Sequence, residues 1–205
     1  MKIKLSNLGK RFNREWIFRN LSFQFDSEKH YAITGPNGSG KSTLLQIIAG
    51  STVYNEGEIT YNQNQQYLSS EVLYRNISLA APYLDLVEEM NLSEFFSFHQ
   101  KMKGWIAGLD SQKIISQIRL EKSSYKQIRY FSSGMKQRVK LAQAIFSNVP
   151  IVLLDEPLTN LDEEGNLLYH SLITNYCNNR LVVVSSNDAS EYSFCDEKIN
   201  MLEYK

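Results

Sequence analysis

The chain has little cysteine and no net charge, and each absence narrows what it can be. Two cysteines, Cys177 and Cys195, stand far apart with no metal-ligand spacing and no secretory context, so free thiols in a reducing compartment are expected. Lys plus Arg number 22 and Asp plus Glu number 22, for a formal net charge of zero. No global field then favours a membrane surface or a phosphate backbone, and no specific nucleic-acid partner is expected. No apolar run approaches the ~18 residues that a spanning helix needs. The opening "MKIKLSNLGK" alternates like a strand and lacks the apolar core of a secretory signal, so the expected location is the cytoplasm. Internal repeats and low-complexity segments are missing too; "NQNQQ" at 62–66 reads as a polar hairpin or loop.

What is present is ordinary in bulk and specific in pattern. With 205 residues, 42% hydrophobic and 21% charged, the chain can bury one sizeable core with a smaller attached subdomain. "MKIKLSNL" and "NLSFQF" alternate apolar and polar residues, as half-buried antiparallel strands do. "HYAIT", "PIVLLDE" and "LVVVSS" are short β-rich or fully apolar runs, suited to a parallel sheet buried on both faces. "STLLQIIAG", "MKQRVKLAQAIFSN" and "EEGNLLYHSLITNYC" read as helices between them. From about Asp85 to Tyr130, Leu86, Met90, Phe95, Phe96, Ile114, Ile115 and Ile118 recur at helical spacing, which predicts a helical insert. "GEITYN" reads as a further strand and "KINMLEY" as an edge strand. Strands alternating with helices imply an α/β fold around a largely parallel sheet.

"GPNGSGKST" fits the phosphate-loop pattern G-x-x-x-x-G-K-[ST] between a strand and a helix. Its residues, Gly35, Pro36, Asn37, Gly38, Ser39, Gly40, Lys41, Ser42 and Thr43, are candidates for binding a nucleoside triphosphate. Glycines at 35, 38 and 40 permit the dihedrals that turn successive N–H groups toward phosphate oxygens. Lys41 adds positive charge near the β and γ phosphates, and the Ser42 hydroxyl can ligate Mg²⁺. The helix that follows contributes its positive dipole end. "IVLLDEP" then ends a buried strand in two carboxylates. Asp155 there can hold Mg²⁺ beside Ser42, directly or through water, and Glu156 can orient and polarise an attacking water.

With these residues in place, the chain resembles the ATPase subunit of ATP-binding cassette (ABC) transporters over essentially its whole length. "FSSGMKQRVKLAQA" is similar to the family signature, with Phe131, Ser132, Ser133, Gly134 and Met135 where Leu-Ser-Gly-Gly-Gln is usual. The resemblance implies that Ser132 and Gly134 contact the γ-phosphate of ATP held by a second subunit. "TNLD" resembles the family's D-loop, which implies contacts between subunits at Asn160, Leu161 and Asp162. "KRFN" places Phe12 where an aromatic usually stacks on adenine. The family fold implied is a P-loop NTPase core with a mixed, mainly parallel sheet, an antiparallel β subdomain and a helical subdomain. One such domain would span 1–205, with about 85–130 inserted. The implied cofactors are ATP and Mg²⁺. The implied partners are a membrane-spanning permease and a second cassette, identical in a homodimer, with the chain peripheral at the inner face of the membrane.

Two departures bear on turnover. The family's Gln between sheet and helical subdomain falls in "ISLAAPYLDL", at Pro82 or, shifted by one, at Ala81. Neither side chain ligates a metal. The family's switch strand ends in Thr-His-Asp, and here Ser186, Asn187 and Asp188 stand there. Asn187 can donate a hydrogen bond but cannot carry charge near neutral pH. His30 lies at a strand entrance, and His99 and His170 lie in helical runs, so none replaces it. The expected activity is therefore a slow ATPase driving a permease. The alternatives are a cassette that binds ATP as a switch with little turnover, or a soluble cassette without a transport role. Short length and "SSGM" resemble export-type cassettes, including the haem-exporter ATPase of cytochrome c maturation. In "EFFSFHQKMKGW", Phe95, Phe96 and Phe98 either form a docking groove for a permease helix or fill a small core.

Overall fold

The computed structural model describes residues 1–63 and 66–205. The first half runs β1 (Lys2–Phe12), β2 (Glu15–Asp26), β3 (His30–Thr34), α1 (Lys41–Ile48), β4 (Glu56–Gln63), β5 (Gln66–Tyr67), α2 (Ser70–Leu73) and β6 (Ile77–Ala80). The second half runs α3 (Leu92–Lys103), α4 (Ser111–Gln117), α5 (Ser133–Ile145), β7 (Ile151–Asp155), α6 (Glu163–Tyr176), β8 (Leu181–Ser185) and β9 (Glu197–Asn200).

The alternating amino-terminal strands form a four-stranded antiparallel sheet ordered β2-β1-β4-β5. Successive strand side chains point to opposite faces, so Ile3 and Leu5 of β1 turn inward with Phe18, Leu21 and Phe25 of β2. Of the polar loop expected at 62–66, residues 64 and 65 lie outside the described residues. On either side of them Asn62 pairs with Tyr67 and Gln63 with Gln66.

The apolar runs build a second sheet, ordered β6-β7-β8-β3-β9, in which every adjacent pair is parallel. The α/β class read from the sequence is the one the chain adopts, with antiparallel and parallel pairings separated into two sheets. Every residue of β7 and β8 is buried, which accounts for their unbroken hydrophobicity. Each of Val182, Val183 and Val184 is fully buried, a contribution of roughly 1.5–3 kcal/mol apiece. Period two still governs their direction. Val182 and Val184 pack with Val152 and Leu154 against α3, α5 and α6, whereas Val183 and Leu181 pack with Leu153 against α1 and the antiparallel sheet.

The insert expected at about 85–130 is helical. Asn91 opens α3 with a capping box, accepting from the Glu94 N–H while the Glu94 carboxylate accepts from the Asn91 N–H, each at 2.9 Å. Ile114, Ile115 and Ile118 are all buried, as their spacing predicts. "KINMLEY" is only half a strand: β9 stops at Asn200, and Met201–Tyr204 turns as a 3-10 helix. The Asn200 side chain accepts the Leu202 N–H at 3.1 Å and so ends the extended run, while Met201 is buried.

Candidate functional site

In a parallel sheet the carboxyl ends of the strands share one edge, and ligands gather beyond it. β3, β8 and β7 are neighbours, so the phosphate loop, the polar end of β8 and the acidic end of β7 meet there. Ser185 lies in register between Ile33 on one side and Asp155 on the other. The Ser186 N–H donates to the Ile33 carbonyl at 3.1 Å, extending β8 into the edge.

The loop between β3 and α1 is braced on one side and open on the other. Gly40 sits at φ 99, where a Cβ would lie 2.5 Å from Ile17 Cγ2 of β2. Gly38, at φ 77, would meet nothing within 4 Å. That open side faces the space a phosphate would fill. The Lys41 ammonium donates to the carbonyls of Gly35 at 2.8 Å and Pro36 at 3.3 Å, which holds its charge over the loop. Glu156, Ile17 and loop residues between Asn37 and Thr43 line one cavity of ≈ 330 Å³.

Asp155 is 2% exposed, and its Oδ1 has no hydrogen-bond partner. Burial raises its pKa, and the neighbouring Ser185 and Ser42 hydroxyls and the Lys41 charge pull it partway back. An orphaned carboxylate oxygen beside a serine hydroxyl is a hard oxygen set that fits Mg²⁺. Among the described residues no group of three His, Cys, Asp or Glu side chains could hold a metal alone. Water and phosphate oxygens would complete the shell, as Mg²⁺ commonly requires. Glu156 adopts φ 44, a left-handed conformation uncommon for a non-glycine residue. Asn187 is exposed directly after the buried pair Ser185 and Ser186.

Other sequence candidates lie elsewhere. Ser132 caps α5, its hydroxyl accepting the Met135 N–H at 3.3 Å. Ser132–Met135 line a separate cavity of ≈ 400 Å³ together with Asn160, Leu161 and Asp162. Gly134 is tight there: a Cβ would lie 3.0 Å from the Asn160 carbonyl oxygen. Asp162 caps α6 by accepting the Gly165 N–H at 2.8 Å, which holds its carboxyl below the usual range, with help from Arg138. Phe12 is 51% exposed at the end of β1, with the Lys10 ammonium 4.5 Å from its ring centre; the loop cavity meets Ile17 instead.

Several residues with no signal in the sequence hold the edge together. Gln137 is buried and donates from Nε2 to the Pro157 carbonyl at 2.8 Å. Lys140 donates to the carbonyls of Ala81 at 3.3 Å and Pro82 at 2.9 Å, pinning the segment that lacks the glutamine. Tyr83, half exposed beside that proline, has its hydroxyl pKa raised by burial first and by the charge of Asp155, with Gln46 of α1 opposing the rise. Glu191 is buried with its carboxylate on the Leu158 N–H at 2.7 Å.

A third cavity, ≈ 320 Å³, opens between α1, β6, α3 and α5, lined by Tyr74, Leu79, His99, Met102 and Lys103 among others. Of the three phenylalanines of the insert, Phe95 and Phe96 are core and Phe98 is exposed. None of them lines the groove, which uses the next turn of α3. His99 forms its floor, with Nε2 2.7 Å from Ser147 Oγ and Nδ1 3.2 Å from Gln143 Nε2.

The model of the ABC transporter family matches residues 18–159. A Bacillus subtilis protein, named as the uncharacterized ABC transporter ATP-binding protein YybJ, is 31% identical over 97% of this chain and 92% of its own length. The Brucella abortus cytochrome c biogenesis ATP-binding export protein CcmA is 30% identical over 84% of this chain and 79% of its own. A solved dimeric ATP-binding cassette in a post-hydrolysis state, bound to ADP and Pi, superposes with a TM-score of 0.82 at 23% identity. That superposition covers 97% of this chain and 93% of the other.

Proposed function

The chain belongs to the ABC transporter family, and on that premise we propose that it binds and hydrolyses ATP as one cassette of a dimer that drives a membrane permease. One observation carries the reading. The phosphate loop and Glu156 line one cavity, while Ser132–Met135 and Asn160–Asp162 line another. A single copy therefore presents two half-sites. A second copy in head-to-tail register brings each half against its complement.

In the composite site, backbone N–H groups of Gly38 and 40–43, the α1 dipole and Lys41 hold the phosphates. Ser42 and Asp155 would hold Mg²⁺, which when bound neutralises charge on the β and γ oxygens. Glu156 orients and polarises a water whose oxygen bonds to the γ-phosphorus as the bond to the β–γ bridging oxygen breaks, releasing ADP and phosphate. Asn187 donates its amide N–H to the γ-phosphate or fixes that water. Ser132 and Gly134 of the second copy donate to the γ-phosphate from the α5 amino end. Phe12, half exposed, stacks on the adenine with the ring face opposite the Lys10 ammonium.

The chain acts as a single cassette domain over 1–205, with the helical segment at about 85–130 as its inserted subdomain. The groove beside α3 accepts a short helix of the permease, which keeps the cassette at the inner face of the membrane. No helix among the described residues is long and apolar enough to cross a membrane itself. The similarity to CcmA favours export as the direction.

Pro82 and Asn187 favour a second reading, a cassette that binds ATP as a switch with little turnover. Phosphate release by the full chain with its membrane partner, compared with Glu156→Gln, decides between them. Hydrolysis predicts faster release by the wild type and an ATP-trapped dimer in the variant; equal release leaves the switch.

A further inference from the structure

Glu191 lies in the 3-10 turn Ala189–Tyr192 that follows β8. It is 5% exposed, and its backbone is fixed on two sides. Its N–H donates to the Asp188 carbonyl at 3.1 Å, and its carbonyl accepts the Tyr169 hydroxyl of α6 at 2.8 Å. One carboxylate oxygen, Oε1, accepts the Leu158 N–H at 2.7 Å; the other, Oε2, is buried with no aligned partner. Burial raises the pKa of this carboxyl. The Ser186 hydroxyl and the Leu158 N–H lower it, and the charges of Asp188 and Glu156 raise it. No cation is among these influences. A buried, half-satisfied carboxylate is destabilising compared with an apolar side chain of its size, so core packing does not explain it.

Its position does. On one side, the Asp188 N–H donates to Ser186 Oγ at 2.9 Å, so the turn bearing exposed Asn187 is a closed unit that carries Glu191 with it. On the other, Leu158 starts the turn that leaves Glu156: the Thr159 N–H reaches the Glu156 carbonyl at 3.2 Å and the Leu161 N–H reaches the Leu158 carbonyl at 3.0 Å. That turn delivers Asn160–Asp162 to the second cavity. The Leu158 N–H bond to Glu191 ends on a buried acceptor, where water competes little for it, and it is short.

We propose that Glu191 is a positioning residue that locks the Asn187 turn to the Leu158–Asp162 turn, so that a γ-phosphate held at Asn187 sets the face offered to the second cassette. The proposal rests on the ATP-dimer reading above. It needs only the Leu158 N–H to keep an acceptor, so glutamine can serve and leucine cannot.

The test is amide hydrogen exchange on the full chain with Mg²⁺ and a non-hydrolysable ATP analogue, alongside steady-state ATPase kinetics. In the wild type the analogue slows exchange both at 35–43 and at 158–162. Glu191→Leu keeps the first protection and loses the second, and kcat falls on the order of 10–100-fold with little change in KM for ATP. Glu191→Gln restores both. A folded Glu191→Leu that still protects 158–162, or a Glu191→Gln that fails as leucine does, overturns the proposal. Should leucine prevent folding, Asn187→Ala takes its place: protection at 158–162 must vanish while that at 35–43 remains, and its persistence overturns the coupling. Absence of protection at 35–43 in the wild type would instead overturn the nucleotide reading itself.

Discussion

Glu156, one residue past the end of β7, donates its N–H to the carbonyl of Ser185, the last residue of β8, at 2.9 Å. The ladder thus continues into the carboxyl edge of the sheet while Glu156 itself twists to φ 44. Left-handed backbone is unfavourable for a residue with a Cβ by roughly 1–2 kcal/mol, and asparagine tolerates it better than glutamate. Glu156→Asn should therefore raise the unfolding free energy by about 0.5–1 kcal/mol. The same change shortens the carboxylate side chain and removes its charge, so phosphate release should fall on the order of 100-fold or more. Urea unfolding and a phosphate-release assay on one preparation check both. A variant that is less stable than the wild type would show that the backbone there is unstrained.

Asn187 is exposed at the site edge, so replacing it does not disturb packing. A histidine there can donate a hydrogen bond and share positive charge with the γ-phosphate as negative charge builds. Asn187→His is expected to raise kcat several-fold, and Asn187→Ala to lower it about tenfold, with ATP affinity little changed in either. Steady-state kinetics with the partner present measures this. Equal rates in all three chains would remove position 187 from the mechanism.

These contrasts mark what the sequence makes legible. The phosphate loop, Asp155 and the end of β8 are readable because each is local: a strand, a few residues and a helix fix the geometry. Gln137 and Glu191 are not. Gln137 meets Pro157 across 20 positions and Glu191 meets Leu158 across 33, so only the packing of α5 and α6 reveals why they are buried. "KINMLEY" misleads for a related reason, since alternation alone does not register that Asn200 caps the turn after it. Phe98 shows the limit of composition: a cluster of aromatics signals burial, yet helical phase leaves this one exposed while His99 turns inward.

Gly134 separates folding from assembly. A Cβ at that position would lie 3.0 Å from the Asn160 carbonyl oxygen, closer than ordinary contact allows. Alanine gains up to ~1 kcal/mol in helix propensity, which offsets much of the crowding. Gly134→Ala should consequently unfold within a few degrees of the wild type. Its ATP-dependent dimerisation should weaken about tenfold, because Asn160 is displaced. Thermal unfolding and sedimentation with ATP, in a background that does not hydrolyse it, read the two effects apart. Unaltered dimerisation would mean that the Asn160 position is immaterial to assembly.

His99 supplies a pH dependence whose sign is fixed. Burial, with the nearby Lys103 charge, lowers its pKa from 6.5 to about 4. The folded protein thus holds His99 neutral at a pH where the unfolded chain already binds a proton. Stability is unaffected above about pH 6.5, falls as pH drops from there to about 4, and is not lost further once the folded form is protonated too. The full loss at this position is about 3 kcal/mol. Asp155 and Glu191, whose pKa values are raised, shift stability the opposite way on acidification. The measurable quantity is therefore the difference between wild type and His99→Gln, which keeps polar contacts to Ser147 and Gln143 without titrating. Urea midpoints between pH 7 and 4 should converge on the variant's from above as pH falls. Parallel curves would mean that His99 is not held neutral in the groove floor.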